Sequence, residues 1–196
     1  MNQFIVLEGS DGSGKTTVGK LLAESMGAEY MKTPGEEYKA SRLYIDSNAH
    51  PDARLLFYLS SVVDASNKIA QILPEKPVVC DRYVWSSLIP HSVYYHQPLN
   101  AIEAMFEPVM RRLIQPSHTI LLQVDESEQR ARITHRSNGI HTASDKACLN
   151  GNASKLREVY EKIALRDAWV RINTTHKSID AVMDEVTKFC NVPLLT

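Results

Sequence analysis

The sequence that decides the fold is FIVLEGSDGSGKTT, at residues 4–17 near the start of the chain. Four apolar residues predict a short strand, a glycine-rich turn follows, and helical periodicity begins after the turn. The stretch fits the spacing G-x-x-x-x-G-K-[ST] of a phosphate-binding loop, with its first glycine at Gly9 and its lysine at Lys15. The alternative, a turn that only links a strand to a helix, requires this spacing to arise by chance. We therefore interpret the stretch as a nucleotide-binding loop.

The parts of this loop have separate physical roles. Glycine lacks a Cβ, so the backbone can turn its N–H groups inward around phosphate oxygens. A helix that begins at Gly14 or Lys15 points its positive end at the same anion. We expect Lys15 to reach the outer phosphates of ATP and the hydroxyl of Thr16 to ligate Mg²⁺. The predicted ATP-binding residues are Gly9, Ser10, Asp11, Gly12, Ser13, Gly14, Lys15, Thr16 and Thr17.

Length and composition narrow the class of protein. The chain has 196 residues, 43% hydrophobic and 23% charged, which is ordinary for an α/β protein, and we expect one domain over 1–196. A net charge of -1 without a basic block argues against a nucleic-acid polymer as partner. The most apolar stretch, 55–63, is too short to span a membrane, and the N-terminus has no secretory cleavage pattern, so we expect a cytoplasmic protein. Three separated cysteines indicate neither disulfides nor a metal cluster.

Apolar runs alternate with helical periodicity along the chain, which is typical of a parallel sheet with helices on both faces. The predicted strands are 4–7, 29–32, 78–80, 119–124 and 170–173. The predicted helices follow the phosphate loop and Asp125, cover 51–73, 154–167 and 180–189, and include one from Asn100, which Asn100 and Glu103 would cap. We expect Pro90 to keep the segment before Asn100 irregular and Pro108 to kink or restart the helix. Periodicity is lost from 137 to 152, and we expect a mobile lid around 132–152.

A second group of candidate residues follows the third strand. Asp81 ends a strand that we place beside the first one, where its carboxylate can hold Mg²⁺ through water opposite Thr16. Arg82 would then face the phosphates, although an arginine beside a carboxylate is also typical of a structural ion pair. Phosphoryl transfer needs positioned cations. We assign them to Arg132 and Arg136, which share a helix face, although such arginines are often only surface charge. The predicted catalytic residues are Lys15, Arg82, Arg132 and Arg136, and the predicted metal ligands are Thr16 and Asp81.

Five parts of the chain resemble the thymidylate kinase family in order and spacing: residues 4–17, Pro34-Gly35, Leu55-Leu56-Phe57-Tyr58, Asp81-Arg82-Tyr83 with Ser86, and 124–136. The resemblance implies a doubly wound P-loop NTPase fold with a five-stranded parallel sheet and a homodimer. It also implies transfer of the γ-phosphate of ATP, bound with Mg²⁺, to a deoxynucleoside monophosphate.

The resemblance also implies roles for single residues. Asp11 would accept a hydrogen bond from the sugar hydroxyl, Phe57 would stack on the base, and Arg82 would hold the acceptor phosphate. The residues alone also allow Phe57 to be a core residue and Asp11 to cap its turn. The substrate-binding residues so implied are Asp11, Lys32, Phe57, Ser61, Arg82, Ser86 and Ser87.

The chain departs from the family pattern at three places. Lys32 and Thr33 precede the Pro-Gly turn, where the family usually has an arginine. Ser61 occupies the position of an arginine that reads the base edge, and Ser87 occupies that of an amide. Loss of an edge-reading group shifts base preference, because specificity depends on such buried polar groups. We therefore expect dTMP, or a related or modified pyrimidine nucleotide, as the acceptor.

Two other functions stay open at this stage. A deoxynucleoside kinase phosphorylates a sugar hydroxyl and needs a carboxylate base, for which Glu36 or Glu37 is available. The basic edge at 32–35 suits instead an acceptor that is already an anion. A nucleotide-binding switch or regulatory ATPase would need a water-positioning residue together with a guanine-reading motif or an arginine from a second subunit, and no motif for any of these occurs in order.

Overall fold

Short apolar runs between polar turn residues form the strands, because a parallel sheet covered on both faces buries nearly every strand side chain. A computed structural model describes residues 2–137, 145–146 and 148–190 of the chain. In that part the strands are β1 (Phe4–Glu8), β2 (Glu29–Lys32), β3 (Val78–Asp81), β4 (His118–Gln123) and β5 (Val170–Asn173). Their bounds differ from the predicted ones by no more than a residue.

All neighbouring strands are parallel, and the described sheet has five strands in the order β2-β3-β1-β4-β5. The predicted five-stranded parallel sheet is therefore confirmed. The register pairs both Leu7 of β1 and Lys32 of β2 with Asp81 of β3. The carboxyl ends of these three strands meet at one edge of the sheet, which is where open α/β sheets bind ligands.

Helices connect the strands and are preceded in two places by short helical turns. A 3₁₀ turn (Glu36–Tyr38) precedes α2, and a π-helical turn (Cys148–Asn152) precedes α7. In the described residues the helices are α1 (Lys15–Met26), α2 (Lys39–Asn48), α3 (Pro51–Ile72), α4 (Trp85–Tyr94), α5 (Leu99–Met110), α6 (Glu126–Ser137), α7 (Ala153–Arg166) and α8 (Ile179–Cys190).

Alternate residues of a strand point to opposite faces of the sheet. Phe4 and Val6 of β1 belong to a buried cluster with residues of α3 and α4, whereas Ile5 and Leu7 belong to one with residues of α1 and α8. A third cluster joins α4, α6 and α7 around Leu121 of β4. Helices therefore cover both faces of the sheet, as predicted.

The prediction of an irregular segment around Pro90 is wrong. The helix α4 runs through this proline, and its Leu88, Ile89 and Val93 are buried. A proline inside a helix costs about 3 kcal/mol. Burial of several large apolar side chains, each worth about 1.5–3 kcal/mol, outweighs that cost. The local pattern also gave no indication of α2, a helix that has no buried residue.

The predicted cap of α5 is also wrong. The helix begins at Leu99, and Pro98 occupies the N-cap position in an extended conformation without a side-chain hydrogen bond. Asn100 therefore lies inside the first turn, where its side chain does not occupy the N-cap position. The helix continues through Pro108 to Met110.

The predicted lid lies partly outside the described residues, which exclude 138–144 and 147. On the near side, α6 continues to Ser137. On the far side, Cys148–Asn152 form a short helical segment with non-helical backbone at Asn150 and Gly151, and the lid itself stays a prediction. Gly151, with φ of 95°, interrupts the helical backbone just before α7.

Candidate active site beside the phosphate loop

The loop between β1 and α1 has the backbone that its glycines predict. Gly9 and Gly14 have φ angles of 138° and 96°, which L side chains rarely adopt. A Cβ on Gly9 would also lie 2.3 Å from the carbonyl oxygen of Leu122, so this position has room only for glycine. The helix α1 then begins at Lys15, and its first N–H groups and positive end adjoin the loop. This is the geometry of an anion-binding site.

The side chain of Lys15 is folded into the loop. Its Nζ donates to the backbone oxygen of Ser10 at 2.7 Å and to Oγ of Ser13 at 3.3 Å. Lys15 is 4% exposed, and its burial, followed by the nearby charge of Arg82, lowers the pKa of the ammonium group to about 8. An anion in the loop would replace the two neutral acceptors and favour the charged lysine.

Thr16 and Asp81 lie together where α1 begins and β3 ends. Oγ1 of Thr16 donates to Oδ2 of Asp81 at 2.6 Å, and the Tyr30 hydroxyl donates to the same oxygen at 3.2 Å. Burial opposes ionisation of Asp81, but the charges of Lys15 and Arg82 outweigh burial and lower the pKa of this carboxyl. Oδ1 of Asp81 is buried and has no hydrogen-bond partner among the described residues. An ionised carboxylate with an unpaired oxygen beside a threonine hydroxyl suits a hard cation such as Mg²⁺.

Arg82 follows β3 and has a left-handed φ of 75°, which is uncommon for a residue with a side chain. Its guanidinium forms an ion pair with Asp11 of the loop and donates to Oγ of Ser86 at 3.4 Å. Burial opposes its charge, but the carboxylates of Asp11 and Asp81 outweigh burial and raise the pKa of Arg82. Arg82 is therefore a permanent cation held next to the phosphate loop.

Glu8, the last residue of β1, holds the turn that carries Arg82. Its side chain is fully buried, and this burial raises its pKa. Its Oε1 accepts the N–H of Tyr83 at 3.1 Å and that of Ser86 at 3.2 Å, and its Oε2 is hydrogen-bonded to the Ser86 hydroxyl. The sequence motifs did not identify Glu8. The signal that could have done so is a charged residue ending an otherwise apolar strand, because unpaired carboxylates are rarely buried.

A cavity of about 420 Å³ opens beside Arg82 and is large enough for a nucleotide-sized ligand. Six residues predicted from the sequence to belong to the site line this cavity: Asp11, Lys32, Arg82, Ser86, Ser87 and Arg136. Its other lining residues are Thr33, Pro34, Arg42, Arg54, Leu55, Tyr58, Pro90, His91, Tyr94 and Asp145. The cavity thus adjoins the phosphate loop at Asp11 and Arg82.

Among the described residues, Phe57 and Ser61 do not line this cavity. The Phe57 ring packs edge-on against Tyr38 and Tyr58, with ring centroids 5.5 Å apart in each pair. Ser61 is buried, and its hydroxyl donates to the backbone oxygen of Tyr58 at 2.6 Å. The structure therefore places both predicted substrate contacts outside the cavity. Arg54 and Tyr58, on a neighbouring part of the helix surface, line it instead.

Side chains of α2 and α3 form a polar network, of which Arg42, Arg54 and Tyr58 line the cavity. Asp46 accepts a hydrogen bond from Nε of Arg54 at 2.9 Å and one from the Tyr58 hydroxyl at 2.7 Å. Nε of Arg42 lies 3.4 Å from the same carboxylate. The guanidinium carbons of Arg54 and Arg42 are 5.1 and 5.9 Å from the centre of the Tyr58 ring. The only sequence signal for this network is a pair of arginines near a tyrosine, because its contacts join two helices.

Arg132 lines a second cleft, on another side of the phosphate loop. Its guanidinium donates to the backbone oxygen of Gly12 at 3.2 Å and to the hydroxyl and backbone oxygen of Thr174 at 2.9 and 2.8 Å. It also forms an ion pair with Glu128. The cleft has a volume of about 250 Å³ and is lined by Ser13, Gly14, Thr17, Val18, Arg132, Thr174, Lys177, Ile179 and Val182. Arg132 is thus held by several protein acceptors beside the loop, rather than extended into the cavity.

Arg136, one helical turn after Arg132, does reach the cavity beside Arg82. Its guanidinium forms an ion pair with Asp145, a buried residue that lines the same cavity. More than half of the Arg136 side chain is exposed. A guanidinium in this position can form charge-assisted hydrogen bonds with an anion in the cavity.

Comparison with known proteins agrees with this geometry. Residues 7–186 match the family model of thymidylate kinase. A probable thymidylate kinase of Methanococcus maripaludis is 31% identical over 191 residues, covering 95% of this chain and 94% of its own. A probable thymidylate kinase of Methanocaldococcus jannaschii is 30% identical over 197 residues, covering 98% of each chain.

Two solved structures have the same fold. The thymidylate kinase of Candida albicans superposes with a TM-score of 0.78 at 20% identity, covering 96% of this chain and 90% of its own. That of Ehrlichia chaffeensis superposes with a TM-score of 0.70 at 23% identity, covering 97% of this chain and 99% of its own. The predicted P-loop NTPase fold is therefore confirmed. The phosphate loop, the adjoining cavity and the family match lead to one conclusion: the chain belongs to the thymidylate kinase family.

Proposed function

We propose that this ATP-dependent kinase transfers the γ-phosphoryl group of ATP to dTMP or a closely related pyrimidine deoxynucleotide. Family membership supports the kinase activity, and the relatives described above are named thymidylate kinases. The position of Arg82 carries the proposal, because its guanidinium contacts Asp11 of the phosphate loop and also lines the adjoining cavity. A triphosphate in the loop and an acceptor phosphate in the cavity would meet at this cation.

The ATP phosphates would occupy the loop, where Lys15 replaces its contacts with Ser10 and Ser13 by contacts with phosphate oxygens. The Thr16 hydroxyl and Asp81 would hold Mg²⁺, and the unpaired Oδ1 of Asp81 supports this assignment. The ion, when bound with ATP, would neutralise charge on the terminal phosphates. The cleft beside Arg132 would take the adenosine part, since it lies along the start of α1.

The acceptor phosphate would bind between Arg82, Lys32 and Arg136, which line one cavity. A phosphate acceptor is already an anion, so transfer requires positioned cations rather than a strong base. Arg82 would exchange part of its ion pair with Asp11 for the acceptor phosphate. Asp11 would then be available to accept a hydrogen bond from the sugar hydroxyl.

The rival function, a deoxynucleoside kinase, needs a carboxylate base, and the two candidates for that base do not support it. Glu36 and Glu37 do not line the described cavity. Glu37 is instead paired with Lys68 of α3, and Glu36 is paired with Lys39 at the surface. The cations around the cavity also suit a charged acceptor better than a neutral nucleoside.

We further propose that the protein is a cytoplasmic homodimer with a single kinase domain over 1–196 and a lid around 132–152. Neighbouring helices α2 and α3 expose Leu43, Tyr44 and Leu56, which are 78%, 67% and 55% accessible. A second copy covering this patch would remove apolar surface from water. Within the described residues, no helix has the length and apolarity needed to cross a membrane. Light scattering of the wild type and of a Leu56→Glu variant tests the dimer, which the variant should convert to a monomer.

The activity test uses the purified protein, Mg-ATP and a panel of dTMP, dUMP, dCMP, dGMP and thymidine, with products separated by chromatography. We expect dTMP or another pyrimidine monophosphate to be converted to the diphosphate. Lys15→Ala should abolish turnover, whereas Lys20→Ala, on the exposed face of the same helix, should not. Phosphorylation of thymidine alone would support the deoxynucleoside kinase. Release of phosphate without any acceptor would support the regulatory ATPase.

A further inference from the structure

Ser61 and Ser87 occupy the positions that the resemblance assigns to a base-reading arginine and amide, and a serine side chain is too short to replace either group. Each helix nevertheless presents a larger polar side chain nearby. Arg54 lies two helical turns before Ser61 on α3, and His91 lies one turn after Ser87 on α4. Both Arg54 and His91 line the cavity beside Arg82.

His91 is a buried histidine with an unused ring nitrogen. It is 3% exposed, and its Nε2 has no hydrogen-bond partner among the described residues. Oδ1 of Asp52 is 3.7 Å away, which is too long for a hydrogen bond. Buried polar groups are nearly always paired, so an unpaired nitrogen on a cavity wall indicates a ligand group that completes it.

The surroundings of His91 favour a neutral ring whose Nε2 is an acceptor. Burial lowers the pKa of His91, and the charge of Arg54 lowers it further, against opposing effects of Gln97 and Asp52. A neutral imidazole has a lone pair on one ring nitrogen, and the unpaired Nε2 is the nitrogen available to accept a hydrogen bond from a ligand.

Arg54 supplies a fixed donor beside this acceptor. Its Nε is bound to Asp46 at 2.9 Å, and its guanidinium lies 5.1 Å from the centre of the Tyr58 ring. These contacts orient the guanidinium and leave its Nη groups for the cavity that it lines. Arg54 and His91 line the same cavity, so one ligand can contact both side chains.

We propose that Arg54 and His91 together read the edge of the acceptor base, with Arg54 donating to O4 and Nε2 of His91 accepting from N3–H. This inference rests on the proposed function. Thymine and uracil present an acceptor at O4 and a donor at N3. Cytosine presents a donor at N4 and an acceptor at N3, which opposes both protein groups. The pair therefore selects 4-oxopyrimidines such as dTMP and dUMP and rejects dCMP.

The test measures kcat/KM for dTMP, dUMP and dCMP with the wild type and with His91→Ala. We expect His91→Ala to lower kcat/KM for dTMP and dUMP by roughly 10- to 100-fold, because N3–H loses its buried partner. The dCMP value should not fall, and KM for ATP should not change. Arg54→Lys keeps the charge next to Asp46 but removes the guanidinium, and it should also lower the ratio of dTMP to dCMP turnover.

His50→Ala is the matched control. His50 is an exposed histidine whose Nδ1 also lies 3.7 Å from Asp52, and among the described residues it does not line the cavity. Its removal should leave the base preference unchanged. A change with His50→Ala as large as that with His91→Ala would overturn the assignment, because it would trace the effect to Asp52 or to the start of α3.

The pH dependence of base preference distinguishes a direct contact between His91 and the base from a purely structural role of His91. Protonated His91 would donate from Nε2, so the ratio of dTMP to dCMP turnover in the wild type should fall as the pH is lowered below about 6.5, the ordinary pKa of histidine. The groups that act on His91 are Asp52 and Arg54 of α3, the Gln97 side chain and the Tyr95 ring. In His91→Ala the ratio should not vary with pH over this range.

The outcomes separate the two proposals. A wild type that phosphorylates no nucleoside monophosphate refutes the proposed function. A wild type that prefers dCMP, or a His91→Ala variant that keeps the preference for dTMP, overturns the assignment of Arg54 and His91 and leaves the kinase function intact. A loss of base preference in both cavity variants, with ATP binding unchanged, supports it.

Discussion

Glu8 holds Ser86 with both of its carboxylate oxygens: Oε1 accepts the backbone N–H at 3.2 Å, and Oε2 is hydrogen-bonded to the hydroxyl. Glu8 ends the strand before the phosphate loop, and Ser86 lies in the first turn of α4. The contact therefore joins the loop's strand to a helix that lines the cavity beside Arg82. Oγ of Ser86 also accepts a hydrogen bond from Arg82 at 3.4 Å, so Glu8 positions Arg82 through Ser86.

Glu8→Gln should weaken acceptor binding while the protein stays folded. The amide oxygen can still accept the two backbone N–H groups, but the new NH₂ group cannot accept the Ser86 hydroxyl proton and adds a donor near Arg82. We expect KM for the acceptor to rise about tenfold, or ~1.4 kcal/mol, and KM for ATP to change little. Steady-state kinetics with each substrate varied provides the measurement. Glu161→Gln, at a surface pair with Arg171, is the control. Equal rises in both KM values would indicate only a general structural role.

Arg82→Lys should lower kcat by about 100-fold or more with little loss of stability. Lysine keeps the positive charge, but it lacks the planar fork that contacts Asp11 and Ser86 together. The matched control is Arg166→Lys, which changes an arginine that binds both oxygens of Glu103 outside the site, at 2.8 and 2.9 Å. Its activity should equal that of the wild type. An Arg82→Lys enzyme with normal kcat would exclude the proposed role of Arg82.

The pH profile for ATP should reflect Lys15. Its pKa in the free protein is lowered to about 8, so the ammonium group is charged below that pH and loses its proton above it. Because kcat/KM reports groups of the free enzyme, kcat/KM for ATP should fall about tenfold per pH unit above this value. Measurements from pH 7 to roughly 9.5, at saturating acceptor, test this. A flat profile over that range would contradict the assigned pKa of Lys15.

Gly9→Ala should destabilise the fold by about 3 kcal/mol. The new Cβ would lie 2.3 Å from the Leu122 oxygen, at a φ of 138°. Gly27→Ala is the control, because Gly27 also has a positive φ, of 61°, but nothing lies within 4 Å of its added Cβ. It should cost only about 1 kcal/mol. Denaturant unfolding of both variants gives the comparison, and equal losses would exclude the steric clash with β4.

The strands and most helices could be predicted because their signals are local. Each strand is an apolar run with turn residues at its ends, and the residues needed to recognise it lie within about ten positions. The secondary-structure predictions failed where contacts between distant parts of the chain determine the local structure. Pro90 belongs to a helix because Leu88 and Ile89 are buried against other elements, and α2 has no buried face to produce a periodic pattern.

The site was predictable to the extent that a motif fixes it. The phosphate loop and the pairing of Thr16 with Asp81 follow from a strand-loop-helix motif and a neighbouring parallel strand. No motif predicts the lining of the cavity, because α2, α3, α4 and the end of α6 form it together. Phe57 and Tyr58 are neighbours on one helix, and the packing of that helix places Tyr58 rather than Phe57 on the cavity.

The sequence by itself therefore determined the parallel sheet, the phosphate loop and the family, since each depends on short spacings and strand-forming runs that fold the same way in many contexts. Only the tertiary structure decided which polar side chains line the cavity beside Arg82 and which bind one another. Burial of Glu8 beneath Ser86 and the pairing of Arg82 with Asp11 join segments far apart in the chain, and the cavity that Arg54 and His91 line is formed by several helices. Their cause is the packing of whole helices onto the sheet, which no local pattern encodes.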